Sequence, residues 1–264
     1  MRIAFILTRR VPDVPSPIVT EVRRLLTEAG HDVTGWIPED RLLRTDTLAD
    51  EADVYVLKSH TELALSYAAA LHAQGTPVFN PFEACLLAQD KVSASRRMRQ
   101  LGVPTPGTWL VAEPQQALPL LGCGALIIKP NRGHRGAGVH LVRTPDELDA
   151  LPRSQGPLIA QRHVPGPGED LKVYVAGDEV WAVRKVFGKT SFTQPGRPVE
   201  VSDEVRGIAA KIRAGFGLDL FGCDVIESPD GPQVVDVNYF PGYKGCPDPA
   251  PGIAESISRF ALAA

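Results

Sequence analysis

Asp224, Asp236 and Asn238 have residue types and a spacing that can do chemistry. Asp236 and Asn238 are separated by one residue, so on a strand both side chains leave the same face. Asp224 falls on the partner strand of a hairpin expected around Pro229-Asp230-Gly231. Two carboxylates and an amide oxygen on one sheet face suit Mg2+, a hard cation that keeps water and phosphate oxygens as its other ligands. Taken alone, Asp-x-Asn more readily opens a turn before Pro241-Gly242, so the flanking residues have to decide.

Those residues are basic. Lys91 follows Asp90 at an expected helix start, and Lys129 closes the apolar run Leu126-Ile127-Ile128 before Pro130. A lysine at the end of a buried strand meets phosphate oxygens as a point charge. Next to it the loop 131–138, Asn131-Arg132-Gly133-His134-Arg135-Gly136-Ala137-Gly138, brings backbone N–H groups close to an anion at its glycines. It has neither the Gly-Lys-Ser/Thr ending nor the helix context of the common phosphate loops. A basic ladder comes next: Lys172 on one expected strand, Arg184 and Lys185 on the following one, and Lys189 beyond. Neighbours on a strand point to opposite faces, so one of Arg184 and Lys185 is expected to face the cleft and the other away.

These groups need sheets to hold them. Short apolar runs at 3–7, 33–37 and 54–57 alternate with helical spacing at 18–29 and 63–73, which predicts a small parallel α/β lobe over residues 1–80. Helices are expected at 82–88 and 91–101, with strands at 108–111 and 125–129, giving a central lobe over 81–155 that carries the Gly-rich lid. Strands at 158–161, 172–176, 180–186, 219–227 and 233–238, a helix at 201–215 and a closing helix at 253–262 make a third lobe over 156–264. Gly177-Asp178 reads as a hairpin turn.

Composition sets limits on function. With 264 residues the chain can form two or three lobes around a cleft, and 44% hydrophobic with 22% charged residues is ordinary for a globular protein. A formal net charge of −3 argues against nucleic-acid binding through a general basic surface. The four cysteines form no Cys-x-x-Cys pair and suit neither zinc nor a disulfide framework. No apolar run approaches the roughly 18 residues of a membrane span, and the opening residues lack the pattern of a signal peptide. A cytoplasmic location, no membrane partner and a monomer or homodimer are expected.

Taken in order, the motifs resemble the ATP-grasp superfamily. Asp90-Lys91 followed by Gly102-Val103-Pro104-Thr105-Pro106 is similar to its Asp-Lys helix and Gly-x-Pro-x-Pro segment. Lys129-Pro130 with the Gly-rich loop resembles its second ATP lysine and phosphate lid, and Asp224, Asp236 and Asn238 match its Mg2+ ligands. The resemblance implies an ATP-grasp fold of α/β lobes, with a small parallel α/β lobe in front, and ATP and Mg2+ as cofactors. Lys91, Lys129, Gly136 and Gly138 would hold phosphates, the segment Gln161-Arg162-His163-Val164 adenine, and Glu169 or Asp170 the ribose. Asp236-Val237-Asn238-Tyr239-Phe240-Pro241-Gly242-Tyr243-Lys244-Gly245 is most similar to the inositol trisphosphate 5/6-kinase group, with RimK-type ligases next nearest. Lys172, His134 and the pair Arg184-Lys185 also look kinase-like. Transfer of the ATP γ-phosphate to a hydroxyl of an anionic small molecule is therefore the first expectation, with Lys172, Arg184, Lys185 and His134 as catalytic groups. Carboxylate–amine ligation through an acyl phosphate is the alternative, and a non-catalytic ATP-binding regulator comes third.

Overall fold

The computed structural model describes residues 1–11, 14–44, 51–133, 136–186 and 195–264. Three sheets account for the strands. The first is parallel, in the order β2-β1-β3-β4, from β1 (Arg2–Ile6), β2 (Asp32–Trp36), β3 (Val54–Leu57) and β4 (Val78–Phe79). Helices α1 (Pro17–Glu28) and α2 (Glu62–Ala73) connect these strands. Pro17 sits at the first turn of α1, where its missing N–H costs nothing, and the Thr61 hydroxyl caps α2 by accepting from the Ala64 N–H at 3.2 Å. β1 and β3 are almost wholly buried, as expected of a parallel sheet covered on both faces.

Helices α3 (Phe82–Gln89) and α4 (Lys91–Gln100) follow and pack against the last strand of the chain. The second sheet is antiparallel, in the order β5-β8-β6-β7, from β5 (Thr108–Val111), β6 (Leu126–Pro130), β7 (His140–Val142) and β8 (Leu158–Arg162), with the short helix α5 (Pro145–Asp149) between β7 and β8. One face, with Leu126, Ile128, Leu158 and Ala160, packs with Val111, Ala117, Val142 and Leu148 into a small core of its own. The other face, with Ile127, Lys129 and Gln161, is turned to the cleft, because side chains alternate along each strand.

The third sheet is antiparallel and ordered β11-β10-β9-β12-β13. Its strands are β9 (Glu169–Ala176), β10 (Glu179–Val186), β11 (Arg197–Val199), β12 (Leu220–Ser228) and β13 (Gly231–Tyr239). Helix α6 (Asp203–Phe216) joins β11 to β12, and α7 (Ala250–Ala263) runs back to pack on α1. Ser202 caps α6, and Gly217 ends it in the left-handed conformation at φ 71. Buried side chains of the first and third sheets, together with Ala84, Cys85, Ala88, Ala94 and Met98 from α3 and α4, form one large core. Each large apolar side chain buried there contributes about 1.5–3 kcal/mol. The third sheet is thus fixed to the first, while the second keeps a core of its own.

The expected strands and helices of the first lobe form within a residue or two of their positions, and both hairpin turns appear, at Gly177-Asp178 and Pro229-Asp230. Strand β9 begins at Glu169, three residues before the expected start. The 3₁₀ segment Pro114–Cys123 was not expected, because Pro119 lies inside it. The short strands β4, β7 and β11 were also missed; two or three residues carry no periodicity to read. Among the described residues no helix is long and apolar enough to cross a membrane.

Candidate active site

The third sheet gathers the acidic residues through its register. Lys172 on β9 lies opposite Asp224 on β12, and Asp224 lies opposite Asp236 on β13. Opposed residues share a face, so these three point the same way, with Asn238 two residues past Asp236. Lys185 on β10 lies opposite Asp170 on β9, two residues from Lys172, and joins the same face. Arg184 therefore leaves the other face, where both its terminal nitrogens engage Glu227, with Nη2 donating to Oε1 at 2.9 Å. The structure brings Lys172 and Lys185 into the cluster and keeps Arg184 out of it.

A register shift between Asp224 and Val225 marks a bulge in the β12–β13 pairing. Bulges take a residue out of the ladder and are common beside functional sites. Here the Val235 carbonyl, out of register, accepts from Lys129 Nζ across the cleft at 3.1 Å. Lys91 Nζ donates to Asp236 Oδ1 at 2.9 Å, and Asn238 Nδ2 lies 3.4 Å from Asp236 Oδ2. Lys172 Nζ reaches Asp224 Oδ2 at 2.5 Å and Asp170 Oδ2 at 2.7 Å. Cations of the cleft thus neutralise the carboxylates of the sheet directly.

This arrangement shifts protonation. Burial raises the Asp236 carboxyl, but Lys91 and Lys129 outweigh it and hold the group below its ordinary value. Burial lowers the Lys129 ammonium, opposed by Asp236. Lys172 is likewise penalised by burial, yet Asp224 and Asp170 overcome this and raise it. Burial raises Asp170, partly opposed by Lys172, and it lowers Lys185, helped by Lys172 and Lys244.

Asn131, named in the sequence only as the first residue of the Gly-rich loop, ties the end of β6 to the start of α4. It is 4% exposed; its Nδ2 donates to Asp90 Oδ2 at 2.7 Å and its Oδ1 accepts from the Val92 N–H at 3.0 Å. Its carbonyl also accepts from the Lys91 N–H at 3.2 Å, so the end of β6 and the start of α4 move together with both lysines. A lone amide directly after Lys-Pro and before glycines was the available signal. Ile127 also lies on the cleft face of β6.

Of the lid, Gly136 and Gly138 are described, both in the left-handed region at φ 71 and 69, and any Cβ on Gly138 would crowd the Pro130 ring at 3.1 Å. His134, Arg135 and Lys189 lie outside the described residues. Arg132 lies 3.7 Å from Glu62 and 3.8 Å from Asp90. In the expected adenine segment, Gln161 is buried and donates through Nε2 to Thr108 Oγ1 at 3.1 Å. The Arg162 side chain turns toward the 3₁₀ segment, donating to the Leu120 carbonyl at 2.8 Å and lying over the Trp109 ring. The His163 N–H donates to Ala125 at 3.0 Å, and Val164 follows in the link to β9. Glu169 and Asp170, as neighbours on β9, face opposite ways; only Asp170 joins the acidic face.

The donor set fits Mg2+. Asp224, Asp236 and Asn238 offer hard oxygen atoms on one face, and among the described residues no group of three His, Cys, Asp or Glu side chains competes as a metal site. A partial protein shell of this kind leaves positions for phosphate oxygens.

The fold, a cleft between two antiparallel sheets with Lys129 on one and the carboxylates with Lys172 and Lys185 on the other, is the ATP-grasp fold. A model of the RimK-like ATP-grasp domain matches residues 88–257, and the chain belongs to that family. A protein from Xanthomonas euvesicatoria named "Probable alpha-L-glutamate ligase" is 29% identical over 202 residues, covering 71% of this chain and 68% of that protein. The RimK domain ATP-grasp protein of Sphaerobacter thermophilus shares the fold at a TM-score of 0.77 and 20% identity, covering 99% of this chain and 100% of that one. The D-alanine–D-alanine ligase of Bacillus anthracis, solved with ATP, does so at 0.74 and 18%, covering 100% and 98%. The family match and the relative's name correct one expectation: they point to ligases, and a closest likeness to the inositol phosphate kinase group is not supported. Both groups share the ATP machinery, which is what the motif reports.

Proposed function

We propose that this chain is a carboxylate–amine ligase that uses Mg-ATP. In such a reaction a carboxylate oxygen attacks the γ-phosphorus, releasing ADP and forming an acyl phosphate. The amine then attacks the acyl carbon, phosphate leaves with the carboxylate oxygen, the nitrogen loses its extra proton, and an amide forms. The single sheet face bearing Asp224, Asp236, Asn238, Lys172 and Lys185, opposed by Lys91 and Lys129, supports the handling of Mg-ATP, and the observation that carries ligation is the RimK-like family match over residues 88–257 with relatives named as glutamate ligases.

Asp224, Asp236 and Asn238 would hold Mg2+, which supplies charge neutralisation and in-line orientation of the phosphates. Lys91 and Lys129 would exchange their present partners, Asp236 and the Val235 carbonyl, for phosphate oxygens, freeing the carboxylate for the metal. Lys172, held between Asp170 and Asp224, would be the nearest fixed cation to charge developing on the transferred group. Ile127 and the strand end at Gln161–Val164 would line the adenine slot, and Glu169 would serve the ribose. Gly136 and Gly138 would let the lid close and exclude water from a hydrolysable intermediate.

The relatives named as glutamate ligases make L-glutamate the first amine to try. The test is an ADP-release screen over carboxylate and amine pairs, with hydroxylamine as a trap. Release that needs both partners, and a hydroxamate when hydroxylamine replaces the amine, supports ligation. Release with a polyol phosphate alone would sink it.

A further inference from the structure

The strand that carries Asp236 and Asn238 lies at the edge of its sheet. In the order β11-β10-β9-β12-β13, β13 has a strand partner only on the side of β12. An edge strand is held on its other side by whatever packs there. Asp236 is gripped by Lys91 at 2.9 Å. Asn238 leans on Asp236 at 3.4 Å, a long bond, so its place depends on the backbone that follows. After Tyr239 the chain leaves the sheet, with the Phe240 N–H still donating to the Leu220 carbonyl at 2.9 Å.

That backbone is held from the first lobe. Lys58, directly after β3, donates through Nζ to the Phe240 carbonyl at 2.7 Å and lies 4.9 Å from the centre of the Phe240 ring. The Tyr239 hydroxyl reaches the Ser59 carbonyl at 2.8 Å and Gln89 Oε1 at 3.0 Å. Gln89 Nε2 in turn donates to the His60 carbonyl at 3.2 Å, and the His60 ring packs on Tyr239 with centroids 4.1 Å apart. Lys58, Ser59 and His60 thus clasp the two residues that follow Asn238. Ser59, Tyr239 and Phe240 are fully buried. The base of the clasp is rigid, because the N–H groups of Lys58 and Ser59 both donate to the Ile6 carbonyl at 3.0 Å, at the end of the buried first sheet. The held end is strained: Phe240 has φ 36, in the left-handed region that a side chain disfavours. Such a conformation persists where its surroundings over-determine it.

We propose that Lys58 is a positioning residue of the metal site, holding the Phe240 peptide, and through it Asn238, where the amide oxygen can meet Mg2+. In this role Lys58 touches neither nucleotide nor cation and acts through the backbone of β13. The first lobe then has a part in the metal site that its place in the chain, far from every metal ligand, does not announce. The inference rests on the assignment of Mg-ATP to this face made above, and adds the residue that sets its third ligand.

The test is Mn2+ binding to the full chain with a nonhydrolysable ATP analogue, followed by electron paramagnetic resonance, since Mn2+ takes the same oxygen ligands. Lys58→Met keeps the length of the stem and removes the ammonium. It should weaken Mn2+ about tenfold, as for loss of a group that orients a metal ligand. The analogue without metal should bind within about twofold of the unaltered chain, as for an independent site. Lys58→Arg, which retains a donor and a cation near the ring, should restore part of the loss. Tyr239→Phe keeps the packing against His60 and removes the bond to Ser59. It should weaken Mn2+ in the same direction, and it decides the matter if Lys58→Met does not fold. Hydrogen exchange at residues 239–244 of the metal-free chain should quicken in both variants. Asp236→Asn reports whether the Mn2+ signal comes from this face. An unchanged Mn2+ affinity in the folded variants, with loss only in melting temperature, overturns the proposal, since Lys58 then only joins the lobes. So does an affinity for the metal-free analogue that falls as far as that for Mn2+. If Asp236→Asn alone loses Mn2+, the metal face stands and the proposal falls. If Asp236→Asn binds Mn2+ as the unaltered chain does, both fall.

Discussion

Lys172→Met isolates the electrostatics of the acidic face, because it removes the cation shared by two carboxylates while keeping the length of the stem. Lys172 Nζ lies 2.7 Å from Asp170 and 2.5 Å from Asp224, with side-chain exposures of 20%, 10% and 25% in turn. Removing one partner of a buried ion pair costs about 3–5 kcal/mol, and the residual exposure places this case near 3 kcal/mol. At about 2–4 °C for each kcal/mol in a chain of this size, the melting temperature should fall by about 6–12 °C at pH 7. The loss should depend on pH. Asp170 already has a raised value through burial, and Lys172 is what holds it down. Without Lys172 its folded value rises further above the unfolded one. A carboxyl raised on folding destabilises the native state above its folded value, and the penalty fades as pH falls through that value toward the unfolded one. Lys172→Met should therefore recover much of its deficit between pH 7 and pH 5, and Asp170→Asn in the same background should recover part of it at pH 7. Urea and thermal unfolding over that range measure both. A deficit under about 0.5 kcal/mol, or one constant with pH, would refute the claim that Lys172 neutralises this pair.

Other consequences follow from the same face. Asp236→Asn should leave the chain folded and cut turnover at limiting Mg2+ at least tenfold, with partial recovery at high Mg2+, as steady-state kinetics would show. Mg-ATP at one hundred times its dissociation constant should stabilise the chain by about 2.7 kcal/mol in a thermal shift assay, and Lys129→Ala should blunt that shift. Arg184→Ala, which among the described residues breaks the pair with Glu227 on the far face, should reduce kcat/KM at least tenfold less than Lys185→Ala does. Asn131→Ala should weaken ATP binding although it carries no charge, because it ties β6 to the start of α4.

Much of this fold is legible in the sequence because most of its elements are long enough to show their own period. The buried runs of β1 and β3 alternate with helical spacing, and the long antiparallel strands of the third sheet are separated by turn residues. The shared face of Asp236 and Asn238 is legible for the same reason: Asp-x-Asn on a strand fixes it. The choice between Arg184 and Lys185 is different. Alternation says that they part, but only the register with Asp170 and Lys172 says which one turns inward. The bulge that frees the Val235 carbonyl depends on how two strands fail to match, which neither strand encodes alone. The first preference for a kinase over a ligase has a chemical reason. Lysines, a lid and metal ligands serve ATP in the same way whether a hydroxyl or a carboxylate receives the phosphoryl group, so these motifs do not name the acceptor.

The fate of the carboxylate oxygen tests the ligase account most directly. With a carboxylate substrate labelled with 18O and an accepted amine, the account predicts one labelled oxygen in the inorganic phosphate for each ADP formed, together with an amide product. Unlabelled phosphate, or a stable phosphorylated hydroxyl compound formed without any need for the amine, would contradict it.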